Sequence, residues 1–193
     1  WRMDRGRQNQ AIILTGMGFS LFVNALITLV SVLEQNYMQQ LLLWQMGSFS
    51  GRSWEQAGIL AAVLIPGTLY LCRFSRQMDM MTFGEEAAQT MGVDTKRVKL
   101  KLIVAASLLT GTAVCFTGTI GFIDLIAPHV ARKVFGPAHK YALPVSVLFG
   151  GAFMVLADLA ARTVMAPTEL PVGAVTALIG APFFAWVYFK EKA

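Results

Sequence analysis

Residues 102–123 read LIVAASLLTGTAVCFTGTIGFI, a stretch of 22 residues without a charged side chain. An α-helix rises about 1.5 Å per residue, so this stretch can cross the roughly 30 Å hydrocarbon core of a bilayer. Further charge-free runs occupy residues 8–33, 56–72, 141–157 and 170–189, the two shorter ones needing help from polar flanks. Repeated runs of this kind predict an all-α, polytopic transmembrane helical bundle.

The composition supports a lipid environment. Hydrophobic residues make up 55% of the 193 residues, charged residues only 14%, and the mean hydropathy is +0.57. Soluble domains are about 45–50% apolar and about 25% charged. The net charge of +5 could suggest nucleic acid, but the basic residues cluster between the apolar runs. We therefore expect contact with membrane lipids and none with nucleic acid.

A sixth, weaker segment lies at residues 125–131, between Asp124 and Arg132. If it crosses the membrane, 14 of the 16 basic residues fall on one side, and only Arg52 and Arg162 fall on the other. If it does not cross, the division is 10 against 6. Because basic residues concentrate on the cytoplasmic side, we predict six spans with both termini cytoplasmic. A helix over 122–135 would be about 20 Å long, which requires burial by neighbouring helices or a polar cavity beside it.

Two smaller features are expected on the outer side. Residues 37–46 are typical of an interfacial helix, with Trp44 and Trp54 at headgroup level. Gly118 and Gly121, like Gly16 and Gly18, would allow helices to approach closely.

The longest inner loop, residues 73–101, contains a candidate docking helix. Thr82 and Glu85 match a capping box, Gly92 matches a helix stop, and Asp94 can cap the following span. A short capped amphipathic helix suits a groove on a cytoplasmic partner, although it could also lie on the lipid headgroups. Its predicted apolar face consists of Phe83, Ala87, Ala88 and Met91.

A second candidate site lies at the outer end of the fifth span. Asp158 and Arg162 are four residues apart and can meet on one helix face. Arg162 could simply pair with Asp158 at the membrane edge, or it could receive an acidic group of an extracytoplasmic partner. Asp124 and Glu169 are expected at the same outer opening.

No motif supports catalysis by this chain. The phosphate-binding pattern GxxxxGK[ST] is absent, and no Ser/His/Asp set falls on plausible loops. His129 and His139 form no ligand set, and Cys72 and Cys115 are interpreted as buried apolar residues. We therefore expect no catalytic residue, metal or cofactor, and an energy input from another subunit.

Five stretches carry a family resemblance. They are GEEAAQTMGV at 84–93, GTIGFIDLIAPHVAR at 118–132, GPAHK at 136–140, LADLAAR at 156–162 and ELPVGAVTALIGAPF at 169–183. They resemble the FecCD-type permeases, the membrane subunits of type II ABC importers for iron–siderophores, haem and vitamin B12. The resemblance implies one permease domain over residues 1–193, corresponding to the last six of ten spans. Since the chain starts at Trp1, we expect four further spans to precede it. Asp124 departs from the family pattern, which has Gly there.

The resemblance also implies partners in the cell membrane. These are a cytoplasmic ATP-binding cassette ATPase, an extracytoplasmic substrate-binding lipoprotein and a second permease subunit, identical or related. Arg162 and Glu169 would dock the binding protein, while Asp124 and Asp158 would lie at the outer mouth. The expected cargo is an iron–siderophore, with haem or a corrinoid as the alternative and a non-transporting membrane scaffold as the alternative of another class. The expected ATPase contact comprises Thr82, Phe83, Gly84, Glu85, Glu86, Ala88, Met91 and Gly92.

Overall fold

The computed structural model describes residues 2–33 and 38–192, with side chains described for 13–33, 38–187, 189 and 190. This part of the chain is helical, which confirms the all-α class. It divides into two compact units, and the boundary between them in the sequence follows Leu43. The helices are α1 (Arg2–Leu33), α2 (Met38–Gln45), α3 (Trp54–Cys72), α4 (Ser75–Thr82), α5 (Glu85–Thr90), α6 (Thr95–Thr117), α7 (Ile123–Phe135), α8 (His139–Thr163) and α9 (Val172–Lys192).

The first unit contains α1 and most of α2. Within α1, Ile13–Leu33 is long and apolar enough to cross a membrane. A helix is present at Met38–Gln45 within the predicted range 37–46, while Tyr37 lies outside the described residues. Its location at the membrane interface stays a prediction. Among the basic residues used for the topology prediction, the side chains of Arg2, Arg5, Arg7 and Lys192 also lie outside the described part.

Three helices of the second unit are long and apolar enough to span a membrane: Trp54–Cys72, Thr95–Thr117 and His139–Thr163. In α9 the apolar part is shorter, Val172–Val187. Two of these helices start at residues whose side chains cap the helix N-terminus. Ser53 and Gln56 form a reciprocal capping box at the start of α3, and Asp94 accepts the backbone N–H of Arg97 at the start of α6.

Small side chains make the closest helix contacts. The buried positions of α7 and α8 are all alanines except Ile126, and they include Ala127, Ala131 and Ala142. Small residues let helix backbones approach in a medium where apolar burial alone does not favour association. Large apolar side chains such as Leu148 and Leu178 instead point outward. Such a surface fits lipid or further membrane helices.

The short helix α7 starts part of the way along α9 rather than beside the start of α9. A Cβ on Gly173, near the start of α9, would lie 3.2 Å from the carbonyl oxygen of Thr119. A Cβ on Gly180 would overlap the ring of Phe122, the residue before α7. These glycines are seven residues apart, so residues 119–122 descend about 10 Å along α9 before α7 starts. The helix predicted over 122–135 is observed at Ile123–Phe135. It is short because residues 119–122 extend along α9 before the helix starts.

Candidate functional sites

The loop over residues 73–101 folds as two short helices rather than one. Helix α4 ends at Thr82, and α5 begins at Glu85 after a turn at Phe83 and Gly84; we call α4 and α5 together the hairpin. The predicted capping box is wrong. The Thr82 hydroxyl donates to the Asp79 carbonyl oxygen at 2.7 Å, inside its own helix, and Gly84 takes the N-cap position of α5 with φ +105°. Because α4 extends to Thr82, its hydroxyl bonds backward instead of capping α5.

The end of α5 agrees with the sequence prediction. Gly92 has φ +86° and donates its N–H to the carbonyl of Gln89 at 2.9 Å, while Val93 donates to the carbonyl of Ala88 at 3.0 Å. These two bonds form a Schellman motif, for which glycine is favoured. The Gln89 amide then bonds the hydroxyl of Thr95 at 3.0 Å. Together these contacts hold α5 against the start of α6.

The predicted apolar face of α5 divides into two parts. Ala88 is 0% exposed and packs inside the hairpin, so its expected contact with a partner is wrong for the described structure. Phe83 is 76% exposed and Met91 is 55% exposed. Glu85 pairs with Lys99 of α6, and Glu86 is exposed. We refer to three of the exposed residues of this loop, Phe83, Glu86 and Met91, as the hairpin surface.

A contact that the sequence analysis missed joins α4 to α8. The Asp79 carboxylate accepts the backbone N–H of His139 at 2.9 Å and lies 2.6 Å from the His139 Nδ1. Burial raises the pKa of Asp79, but the hydrogen bonds and the electrostatic attraction of His139 outweigh burial, so the pKa lies below its usual value. Asp79 is therefore a charged acceptor at neutral pH. The two residues are 60 positions apart, which no local pattern reveals.

At the other end of α8, Arg162 and Asp158 form the predicted ion pair. The Arg162 Nε lies 2.9 Å from the Asp158 Oδ2, and the two side chains are 45% and 24% exposed. The pair uses one of the five N–H donors of the guanidinium. The following loop folds back, since the N–H of Leu170 bonds the carbonyl of Ala161 at 3.0 Å. Glu169, next to Leu170, consequently lies at the same end of α8 as Arg162.

Asp124 does not lie at that end. It occupies the first turn of α7, where a carboxylate is favoured by the helix dipole. A Cβ on Gly150 would lie 3.9 Å from the Ile123 Cγ1, which places the start of α7 beside the middle of α8. Gly150 and Arg162 are twelve residues apart, or about 18 Å along the helix. The structure therefore brings Asp158, Arg162 and Glu169 together and places Asp124 deeper.

Residues 44–48, 117–119 and 173 form a close backbone contact, which we call the outer junction. The Trp44 indole donates to the Cys115 carbonyl at 3.2 Å, and the Ser48 N–H donates to the Thr117 carbonyl at 2.9 Å. A Cβ on Gly118 would overlap the carbonyl of Trp44, which confirms the predicted close approach there. At Gly121 nothing lies within 4 Å of such a Cβ, so the same prediction fails at that residue. Gly16 and Gly18 lie in the first unit, and for them the close approach stays a prediction.

Comparison with known sequences gives a consistent result. The family model described as "FecCD transport family" matches residues 2–190. An uncharacterised ABC transporter permease protein of Bacillus subtilis is 39% identical over 180 residues, which cover 93% of this chain and 51% of that protein. The cobalamin import system permease protein of Halobacterium salinarum is 41% identical over 176 residues, covering 91% of this chain and 47% of that protein.

A hemin transport system permease protein of Yersinia pestis is 32% identical over 182 residues, covering 94% of this chain and 54% of that protein. Among solved structures, an inward-facing conformation of a metal-chelate type ABC transporter matches with a TM-score of 0.87 and 30% identity, covering 92% of this chain and 58% of that one. The chain thus spans about half the length of the curated relatives that it matches.

Proposed function

Because the chain belongs to the FecCD transport family, we propose that the complete protein is the permease subunit of an ATP-driven importer. The observation that carries the proposal is the match over residues 2–190, together with helices long and apolar enough to span a membrane. The proposed partners are a cytoplasmic ATP-binding cassette ATPase, an extracytoplasmic substrate-binding protein and a second permease subunit. Translocation would proceed by alternating access, driven by ATP hydrolysis on the partner.

The hairpin surface is the proposed ATPase contact. Phe83 and Met91 expose large apolar side chains, whereas Phe74, Met78 and Met81 of the same loop are half-buried. An apolar anchor of this kind fits a groove on a partner protein. The hairpin is also held to two long helices, through Thr95 at the start of α6 and His139 at the start of α8. A push on its surface would therefore be carried into the membrane.

Arg162 is the proposed docking residue for the binding protein, with Glu169 beside it. The guanidinium is nearly half exposed, and Asp158 holds it by one hydrogen bond. Arg162→Glu in the full-length permease should weaken binding of the substrate-binding protein in a pull-down titration, because a charge-assisted contact becomes a repulsion. Asp158→Asn is the matched control, since it weakens the pair within α8 and keeps the arginine. If Arg162→Glu bound the substrate-binding protein as tightly as the wild type, the role of Arg162 would be limited to its ion pair with Asp158.

The proposed orientation places both chain ends and the hairpin in the cytoplasm. It is supported by the basic residues on that side, which include Lys133 and Lys190 at 5.7 and 4.8 Å from the Trp186 ring centre. In a variant lacking Cys72 and Cys115, an impermeant thiol reagent should label Arg52→Cys in intact cells and leave Asp94→Cys unlabelled. Labelling of Asp94→Cys from outside would reverse the topology.

An iron–siderophore is the proposed cargo. A relative in Bacillus subtilis that is 36% identical is named as an Fe(3+)-citrate import system permease, and the solved neighbour is of the metal-chelate type. Cells without the complete gene should lose growth on one ferric siderophore as the iron source and regain it with the intact gene. Loss of haem or cobalamin uptake instead would assign one of those cargoes. Normal uptake of all three would favour a scaffold.

A further inference from the structure

The Asp79 carboxylate, in α4, accepts a hydrogen bond from the N-terminus of α8. His139 is the first residue of α8, and the first N–H groups of a helix lack partners within that helix. Ala138, at the N-cap position, provides no side-chain acceptor. Asp79 supplies the missing acceptor from α4, and its negative charge is favoured beside a helix N-terminus. The start of α8 and the position of α4 are therefore fixed by the same contact.

Helix α8 connects this contact to the opposite end of the second unit. It runs without a break from His139 to Thr163, a length of about 37 Å, and its last turn carries Arg162. On the inner side, α4 leads into α5 and the hairpin surface after the two-residue turn at Phe83 and Gly84. The hairpin surface is thus connected to the Asp158–Arg162 pair by the chain from α5 to α4, by the contact of Asp79 with His139, and by α8 itself.

We propose that Asp79 is the positioning residue that passes movement of the hairpin to α8, and through α8 to the Asp158–Arg162 pair. The inference rests on the proposed function, in which the ATPase contacts the hairpin surface and the binding protein contacts Arg162. A single carboxylate contact is either formed or broken. Elements with two discrete arrangements of this kind can carry coupling between distant sites.

His139→Pro in the full-length permease is the sharpest test. Proline is well tolerated at the first helical position, and Ala138 already has the extended backbone that a residue before proline needs. The substitution removes both the N–H and the imidazole that contact Asp79, and it leaves α8 intact. In nanodiscs with the ATPase, we expect the ratio of binding-protein-stimulated to basal ATP hydrolysis to fall about fivefold or more. The basal rate and the amount of bound ATPase should not change.

Companion variants separate the inference from its alternatives. Asp79→Ala should reproduce the lost stimulation, whereas His139→Ala, which keeps the backbone N–H, should show a smaller loss. Asp94→Asn is the control, because Asp94 lies in the same loop and caps α6. Normal stimulation in His139→Pro overturns the inference even if Asp79→Ala fails to fold. Equal losses in Asp94→Asn and Asp79→Ala also overturn it. A wild-type permease that binds no ATPase overturns the proposed function instead.

Discussion

The outer junction and the hairpin are held together in different ways. At the outer junction the backbones themselves are in contact, since Gly118 lies against the Trp44 carbonyl and the Ser48 N–H bonds the Thr117 carbonyl. The hairpin is attached by side chains, through Gln89 to α6 and through Asp79 to α8. Backbone contacts leave no room for adjustment, whereas side-chain contacts can break and reform. We therefore expect the outer junction to be the more rigid of the two regions and the hairpin to be the more mobile.

The two regions also differ in what they expose. At the outer junction Gly47 and Gly118 are buried. The hairpin presents Phe83 and Met91 outward. Substitutions at the outer junction should therefore reduce stability, and substitutions on the hairpin surface should reduce partner binding.

Gly118→Ala should have the greatest effect on stability. The residue has φ +74°, which costs a non-glycine residue about 1–3 kcal/mol, and the added Cβ would overlap the Trp44 carbonyl at a further cost of about 1–3 kcal/mol. We expect a loss of at least about 2 kcal/mol, seen as earlier thermal unfolding in detergent. Gly121→Ala is the matched control, because its Cβ would meet nothing within 4 Å. Equal unfolding temperatures for the two variants would contradict a tightly packed outer junction.

Ala88→Trp should destabilise the hairpin rather than obstruct a partner directly. Ala88 is 0% exposed, so an indole at this position must displace neighbouring side chains at a cost of about 1–3 kcal/mol. The measurement is proteolysis of the 73–101 loop in the purified permease without its partners. Thr90→Trp, at an exposed position of the same helix, should be cleaved like the wild type. Normal resistance in Ala88→Trp would show that Ala88 faces outward.

Phe83→Ala should weaken ATPase binding with little change in stability. The ring is largely exposed, so its removal should change the free energy of unfolding by less than about 0.5 kcal/mol. An interface anchor usually contributes more than about 1 kcal/mol, which corresponds to a several-fold rise in the Kd for the ATPase. Val164→Ala removes an exposed apolar side chain at the outer end of α8 and should leave this Kd unchanged. An equal Kd for Phe83→Ala and the wild type would place the ATPase contact elsewhere.

Asp94→Asn should change stability least. The carboxylate accepts the Arg97 N–H and pairs with the Arg97 side chain, but both side chains are largely exposed. Asparagine caps helices about as well as aspartate, and an exposed ion pair contributes little. We expect no measurable shift in thermal unfolding, whereas Asp94→Ala should cost about 0.5–2 kcal/mol through loss of the cap. A large shift in Asp94→Asn would indicate that the charge itself anchors α6.

Features that depend on neighbouring residues in the sequence could be predicted. The apolar runs located the long helices, the four-residue spacing located the Asp158–Arg162 pair, and Gly92 located the end of α5. The FecCD resemblance was confirmed by the family match.

Features that depend on distant residues could not be predicted. Thr82 and Glu85 satisfy the capping pattern, but α4 already uses the Thr82 hydroxyl. The apolar spacing of Phe74, Met78 and Met81 was the available signal for α4. The depth of Asp124 depends on where residues 119–122 pack against α9, and the Asp79–His139 contact depends on how α4 packs against α8. Neither is encoded in residue spacing.

Site-specific cross-linking from the hairpin surface tests the proposed ATPase contact most directly. In the full-length permease without Cys72 and Cys115, Phe83→Cys labelled with a benzophenone maleimide should cross-link to the ATPase subunit on irradiation of inverted membrane vesicles. The yield of this product should change when ATP is added. Ser50→Cys, exposed near the outer junction, should form none. If Phe83→Cys gives no product in vesicles where the ATPase remains bound and active, the hairpin is not where ATP-driven movement enters the permease.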